Sequence, residues 1–285
     1  MIPTLILNAL AVSSLYIMMA SGLALIFGLR RVMNFGHGAI YMVGAYLGYT
    51  IASGMNFWAA LILVPLIMSV FGVLLELLVL RPLEKRQQIE VALITFGIGI
   101  VIAQIVIRIY GGTPLSVSAP PLLASSVKVF GADYPVYRLF ITVIGLCSVI
   151  ALAVWLNATR TGMFVRAVSH APDVSSMMGI NANRLSLLIS TLSTAFAGLA
   201  GVLVGPYLSI DPGMDVAMII TCMIVVVIGG TGSIWGAIFA ALIFGFVQTF
   251  GTVYLHEISV LIPYLMLIAI LVWRPQGLNF GGSAE

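Results

Sequence analysis

Residues 157–184 read NATRTGMFVRAVSHAPDVSSMMGINANR, a polar stretch set between two long apolar runs. Arg160, Arg166, Asp173 and Arg184 within it are too costly to hold in lipid, so the flanking runs must end there and the stretch must form a face in water. Its local signals are those of two short helices. Thr161-Gly162 opens a pattern in which Met163, Val165 and Val168 alternate with Arg166 and His170, and Pro172 stops it. Asp173 is placed to cap a second piece, 174–178, closed by Gly179 at the C′ position. Two amphipathic pieces with a Met178-Gly179-Ile180 corner suit docking into a groove on another protein. An ordered loop that merely joins two spans accounts for the same pattern.

The rest of the chain supplies those spans. Of its 285 residues, 61% are hydrophobic and 7% charged, and the mean hydropathy is +1.18, far from soluble domains, in which about a quarter of residues are charged. This is the composition of an integral membrane protein of all-α class. Runs of about twenty apolar residues cross a hydrocarbon core of roughly 30 Å as helices, and the regularly spaced alternating strands of a membrane β-barrel are missing. The formal charge of +3 reports orientation rather than nucleic-acid binding. Cys147 and Cys222 each stand alone in an apolar run and read as small buried hydrophobes.

In order, spans are expected at 5–27, which is retained because no basic leader precedes it, then at 34–52, 57–80, 89–110, 137–156, 185–206, 216–228, 234–254 and 258–273. Residues 111–136, rich in Gly, Pro and Ser, form an outer, periplasmic loop, and 157–185 an inner one. With the N-terminus outside, Arg30, Arg31, Arg81, Lys85, Arg86, Arg160, Arg166, Arg184 and Arg274 all fall on the cytoplasmic side, as does the C-terminus. The bundle has eight or nine crossings in a single domain over 1–285, depending on whether 216–228 and the break Gly229-Gly230-Thr231-Gly232-Ser233 are re-entrant.

Small residues four apart recur inside the spans, at Gly44 and Gly48, Gly201 and Gly205, and Gly232 and Gly236. Close helix packing accounts for them; faces that line a path or slide during gating are the sharper reading. Glu76 and Arg108 read as anchors near the ends of their spans, with Glu76 within reach of Arg81. No HExxH motif, Ser/His pair or phosphate-loop lysine is present, so neither catalysis nor ATP hydrolysis is expected in this chain, which needs no cofactor or metal of its own. Asn34 and His37, at the start of the second span, suit either a helix cap with an interfacial histidine or an inner gate.

Asn34-Phe35-Gly36-His37-Gly38 with Tyr41 to Tyr46 resembles the start of the permease subunits of branched-chain amino acid ABC transporters. Gly162, Arg166-Ala167-Val168, Met178-Gly179-Ile180-Asn181 and Arg184 are similar to the segment by which those permeases engage their ATPases. Val227 to Ala237 and Arg274-Pro275-Gln276-Gly277-Leu278 match the remainder, so the resemblance runs along the whole chain. Ala39 stands where family members often carry an acidic residue, and Asn279 interrupts the usual ending.

The resemblance implies one half of a heterodimeric pore in a bacterial inner membrane, for branched-chain or other small neutral amino acids. A second homologous permease, two cytoplasmic ATPase subunits that bind the ATP, and a periplasmic solute-binding protein would complete it. Arg166 and Asp173 are then expected as polar contacts to the ATPase, and Met178 and Ile180 as apolar anchors. Urea or short amides are an alternative cargo. A stand-alone secondary carrier or channel is the alternative of another class, and it has no need of a docking surface at 157–185.

Overall fold

The computed structural model describes residues 2–84, 86–129, 131–275 and 277–278. Lys85 of the inner basic run, Gln276 of the terminal motif and Asn279 lie outside the described residues. Among the described residues there are eleven α-helices: α1 (Ile2–Arg30), α2 (His37–Gly54), α3 (Phe57–Leu75), α4 (Gln88–Tyr110), α5 (Val136–Ala158), α6 (Arg160–His170), α7 (Pro172–Met177), α8 (Ala182–Val204), α9 (Met214–Gly229), α10 (Ile234–Tyr254) and α11 (Ile262–Trp273). Among the described residues, six helices are long and apolar enough to cross a bilayer: α1, α3 with its extension to Leu80, α4, α5, α8 and α10. The chain is therefore a polytopic helical membrane protein. Helices α9 and α11 are apolar but shorter.

Buried residues concentrate on α1 and α8, which form the centre. Helix α8 packs against α1, α2 and α3, and α1 also packs against α5, α9 and α10. The expected glycine seam is real. A Cβ on Gly44 would lie 2.6 Å from the Gly198 Cα, and one on Gly201 would lie 2.6 Å from the Tyr41 carbonyl oxygen and the Ala45 nitrogen. Backbone thus meets backbone between α2 and α8, the contact that small residues permit where no water drives association. Polar side chains on α8 add to it: Ser186, Ser190, Ser193 and Thr194 share one buried face at i, i+4, i+7 and i+8.

Two departures from the expected spans matter for function. Arg31 has φ +54, in the left-handed region, and turns the chain back on α1, so that α2 starts beside the middle of α1 instead of at its end. His37 Nε2 lies 3.2 Å from the Met19 carbonyl oxygen, and Met19 precedes the end of α1 by about 16 Å of helix. The first turn of α9 lies at the same level: a Cβ on Gly38 would run into the Asp215 carbonyl and lie 3.0 Å from the Ile219 Cβ.

The described residues of 111–136 contain a hairpin that the Gly, Pro and Ser content concealed. Strands β1 (Ser126–Val129) and β2 (Ala132–Pro135) pair antiparallel, with Gly131 at φ +80 in the turn. Leu115 and Ile210 exchange backbone hydrogen bonds of 2.9 and 2.8 Å. Arg138 donates to Asn8 Oδ1 at 2.6 Å and lies 5.3 Å from the centre of the Tyr207 ring. Burial pushes the Tyr134 phenol up to about 12, with the Arg138 charge opposing.

Candidate coupling surface and translocation path

The polar stretch forms the two helices its pattern predicts. Thr159 caps α6 by accepting from the Gly162 nitrogen at 3.0 Å. Val165 and Val168 enter an apolar cluster with Leu25, Ile26, Leu152, Leu156, Leu185 and Ile189, so α6 is welded to α1, α5 and α8. Gly162 sits where α6 folds back on α5, against the carbonyls of Trp155 and Leu156, with no room for a Cβ. Arg166 is exposed, and its guanidinium folds back on the end of α5: Nη1 donates to the Leu156 carbonyl and, at 3.3 Å, to Asn157 Oδ1. It thereby satisfies acceptors left open at the C-terminus of α5.

The second piece differs from its expected form. Helix α7 begins at Pro172 with Ala171 at its N-cap and no side-chain cap; Asp173 falls in its first turn, where its carboxylate favours the positive helix end without capping it. Gly179 has φ +79 with nothing near its absent Cβ, the left-handed residue that closes the helix. Ile180 packs inward on the same apolar cluster. Met178 is 76% exposed, and beside it Met177 at 86%, Val174 and Met163 are exposed as well. Asn181 caps α8 by accepting from the Arg184 nitrogen at 3.1 Å, and Arg184 is exposed. Of the expected contact residues, Asp173, Met178, Gly179 and Arg184 share an outer surface, whereas Gly162, Arg166 and Ile180 serve the chain's own packing.

Beside α6 lies a cavity of about 620 Å³. It is lined by Arg31, Arg166, His170 and the Thr231-Gly232-Ser233 turn, with Leu25, Leu156 and Trp235 among its apolar walls. The two glycine motifs near the C-terminus meet at this end of the bundle. Leu278 donates its N–H to the Ile228 carbonyl at 2.7 Å, and Gly277, at φ +74, packs on the Gly230 nitrogen. The terminal motif therefore closes the end of α9.

Asn34 and His37 are neither cap nor interface. Asn34 is 1% exposed and accepts from the Gly36 nitrogen at 3.0 Å through Oδ1; Gly36 occupies the N-cap of α2, with no side-chain cap. His37 is wholly buried, and because a carbonyl only accepts, its Nε2 donates to Met19. Asn34 Nδ2 and His37 Nδ1 have no hydrogen-bond partner.

Glu76 overturns the anchor reading. It is fully buried and pairs with Arg30, not Arg81. Ser190 Oγ donates to its second oxygen at 2.9 Å, and Arg30 Nε donates to Ser186 Oγ. Glu76 opens a π-helical turn, Glu76–Leu80, at the end of α3. The serines that hold this pair were legible as a four-residue polar spacing on an apolar helix, which sequence reasoning left unread.

Comparison with known proteins agrees with this architecture. The LivH permease protein of the high-affinity branched-chain amino acid transport system of Salmonella typhimurium is 26% identical over 95% of this chain and 93% of its own length. The BraD permease protein of the corresponding Pseudomonas aeruginosa system is 28% identical over 96% and 94%. The LivM permease protein of Salmonella typhimurium is 27% identical over 93% of this chain and 67% of its own length. Among solved structures, PsaBC from Streptococcus pneumoniae in complex with Fab shares the fold, with a TM-score of 0.51 and 18% identity over 93% of this chain and 90% of that one. The family model described as "branched-chain amino acid transport system / permease component" matches residues 5–271, and with that match over nearly all of its length the chain belongs to this family of membrane permeases.

Proposed function

We propose that this chain is a membrane-spanning subunit of an ABC importer for branched-chain or other small neutral amino acids. It pairs with a second, related permease, receives solute from a periplasmic binding protein and is driven by two cytoplasmic ATPase subunits that carry the ATP. The observation that carries this reading is the build of 157–185. Helix α6 is fixed to the bundle by Val165, Val168 and Arg166, while Met163, Val174, Met177 and Met178 stand in water, with Asp173 and Arg184 beside them. A plain connector has no need of four large apolar side chains exposed on and beside a helix, α6, that is itself packed on the bundle. The relatives, named as permease proteins of branched-chain amino acid systems, supply the cargo class, and the match to both LivH and LivM supports a paired permease.

In this reading α6 and α7 lie in the cytoplasm of a bacterial cell, as does the C-terminus, and the hairpin at 126–135 faces the periplasm. The helices make eight or nine crossings, with α2 and α9 beginning inside the bilayer. The contact of Gly38 with Asp215 then closes the path at mid-depth. Asn34 and His37 flank it as gate residues whose unpartnered nitrogens are available to a passing solute when α2 and α9 part. The test is gentle extraction from the native membrane followed by mass spectrometry of what co-purifies. An ATPase and a second permease should be recovered, and lost together with ATP-driven uptake in Met177→Glu/Met178→Glu. Isolation of the chain alone, still moving solute in vesicles without ATP, would establish a stand-alone carrier instead.

A further inference from the structure

We propose that the buried Arg30–Glu76 pair is the latch through which movement of the coupling helices reaches the membrane bundle, with Glu76, Arg30, Ser186 and Ser190 as positioning residues. This rests on the docking reading of 157–185. Three elements meet at the pair: the end of α1, the π-turn of α3 and the first three turns of α8. Arg30 Nη2 donates to one Glu76 oxygen, Nη1 to the Leu80 carbonyl at 3.3 Å and Nε to Ser186, while Ser190 donates to the other Glu76 oxygen at 2.9 Å. Just below, Arg81 Nη2 donates to the Asn183 carbonyl at 3.4 Å. Helix α8 is the element that leaves the coupling surface, and its first turn is capped by Asn181 immediately after the Met178-Gly179-Ile180 corner. A push on that corner therefore reaches α3 through these side chains, and α1 through them and through the apolar cluster of Leu25 and Ile26 on which Ile180 packs.

Two features separate a latch from a structural clip. An ion pair whose carboxylate is wholly buried and whose guanidinium is 90% buried is a poor means of stabilisation, because apolar side chains of the same volume hold such a site as well or better; an ionisable residue among spanning helices calls for a functional account. The pair is also built on a π-turn, in which the Arg81 N–H reaches the Glu76 carbonyl five residues back. A π-turn differs from an α-turn by one residue of register, so a return of this turn to α-helical register is the change that would carry the Leu80 carbonyl and the Glu76 carboxylate together. Cavities on both sides of α6, one of them bounded by Arg30, Leu80 and Ser186, leave room for that movement.

The test uses the complete complex, purified with its ATPases and second permease and placed in liposomes, and reads solute moved per ATP hydrolysed. Two variants are compared with the natural protein. Arg30→Met/Glu76→Leu replaces the pair by apolar side chains and leaves no buried charge unpaired; Ser186→Ala/Ser190→Ala keeps the pair and cuts its link to α8. Both should assemble and hydrolyse ATP, with solute per ATP lower by about fivefold or more, the lower end of a typical coupling between sites. The same ratio as the natural protein in the serine variant overturns the latch, whether or not the apolar variant assembles. Uptake by the natural complex that does not depend on ATP overturns the importer reading, and the latch with it.

Discussion

The seam between α2 and α8 makes a quantitative prediction about two glycines that look alike in sequence. Gly44 and Gly97 both lie inside apolar helices. A methyl group at Gly44 would sit 2.6 Å from the Gly198 Cα and 3.1 Å from its carbonyl oxygen, about 1 Å short of the ~3.5–4.0 Å at which carbon atoms attract. The atoms it meets are backbone, so no side chain can swing away and the two helices must part. Overpacking of this kind costs about 1–3 kcal/mol. At Gly97 nothing lies within 4 Å, and Gly→Ala in an open helical position stabilises by about 0.4–1 kcal/mol through the unfolded chain. Gly44→Ala and Gly97→Ala should therefore shift stability in opposite directions, by about 1.5–4 kcal/mol relative to one another. Unfolding in mixed micelles, followed by tryptophan fluorescence against denaturant mole fraction, measures that difference. Equal shifts of the same sign would refute the packing argument.

Three further outcomes follow from the geometry. Gly38→Ala, which cannot coexist with the Asp215 carbonyl where it now lies, should hold α2 and α9 apart and raise passage of labelled leucine through the reconstituted complex without ATP; a leak no greater than that of the natural complex would remove these helix starts from the gate. Thr159→Ala removes the cap on the Gly162 nitrogen and should cost about 1 kcal/mol locally, read as roughly fivefold faster amide exchange across α6 with α5 and α8 unchanged. Arg138→Gln loses the bond to Asn8 and the stacking on Tyr207, and should lower stability by about 1–2 kcal/mol, with faster proteolysis within 111–135.

Legibility in the sequence followed the physics of each signal. Span positions came from hydropathy, and six of the nine fall on helices long and apolar enough to cross: 57–80 is α3 with its π-turn, and 89–110 is α4 within one residue, whereas those expected at 34–52, 216–228 and 258–273 fall on α2, α9 and α11, which are not among the six. The two short helices of 157–184 were legible because Pro172 and Gly179 act locally, through breaks that need no knowledge of neighbours, whereas the caps lie at Thr159 and Asn181 and not at Asp173, where one was expected. Helix rotation was not legible. Ile180 was expected as an outer anchor and instead packs on the apolar cluster, and Arg166, though exposed, spends its guanidinium on the end of α5, because the neighbours that turn each side chain lie on other helices. Glu76 was assigned to Arg81 because that residue is near in sequence; its true partner lies on α1, brought close by the packing of α1 and α3 on α8. The internal starts of α2 and α9 escaped notice for the same reason. A left-handed Arg31 leaves no mark in composition, and the turn it makes shows only against the rest of the bundle.

Uptake of tritiated leucine into liposomes holding the complex co-purified with this chain tests the central claim most directly, with ATP supplied to or withheld from the ATPase side. The account predicts uptake that requires ATP and the binding protein, and that is abolished by Met177→Glu/Met178→Glu although the chain still inserts and folds. Uptake of equal rate with and without ATP, unchanged by that substitution, would contradict it.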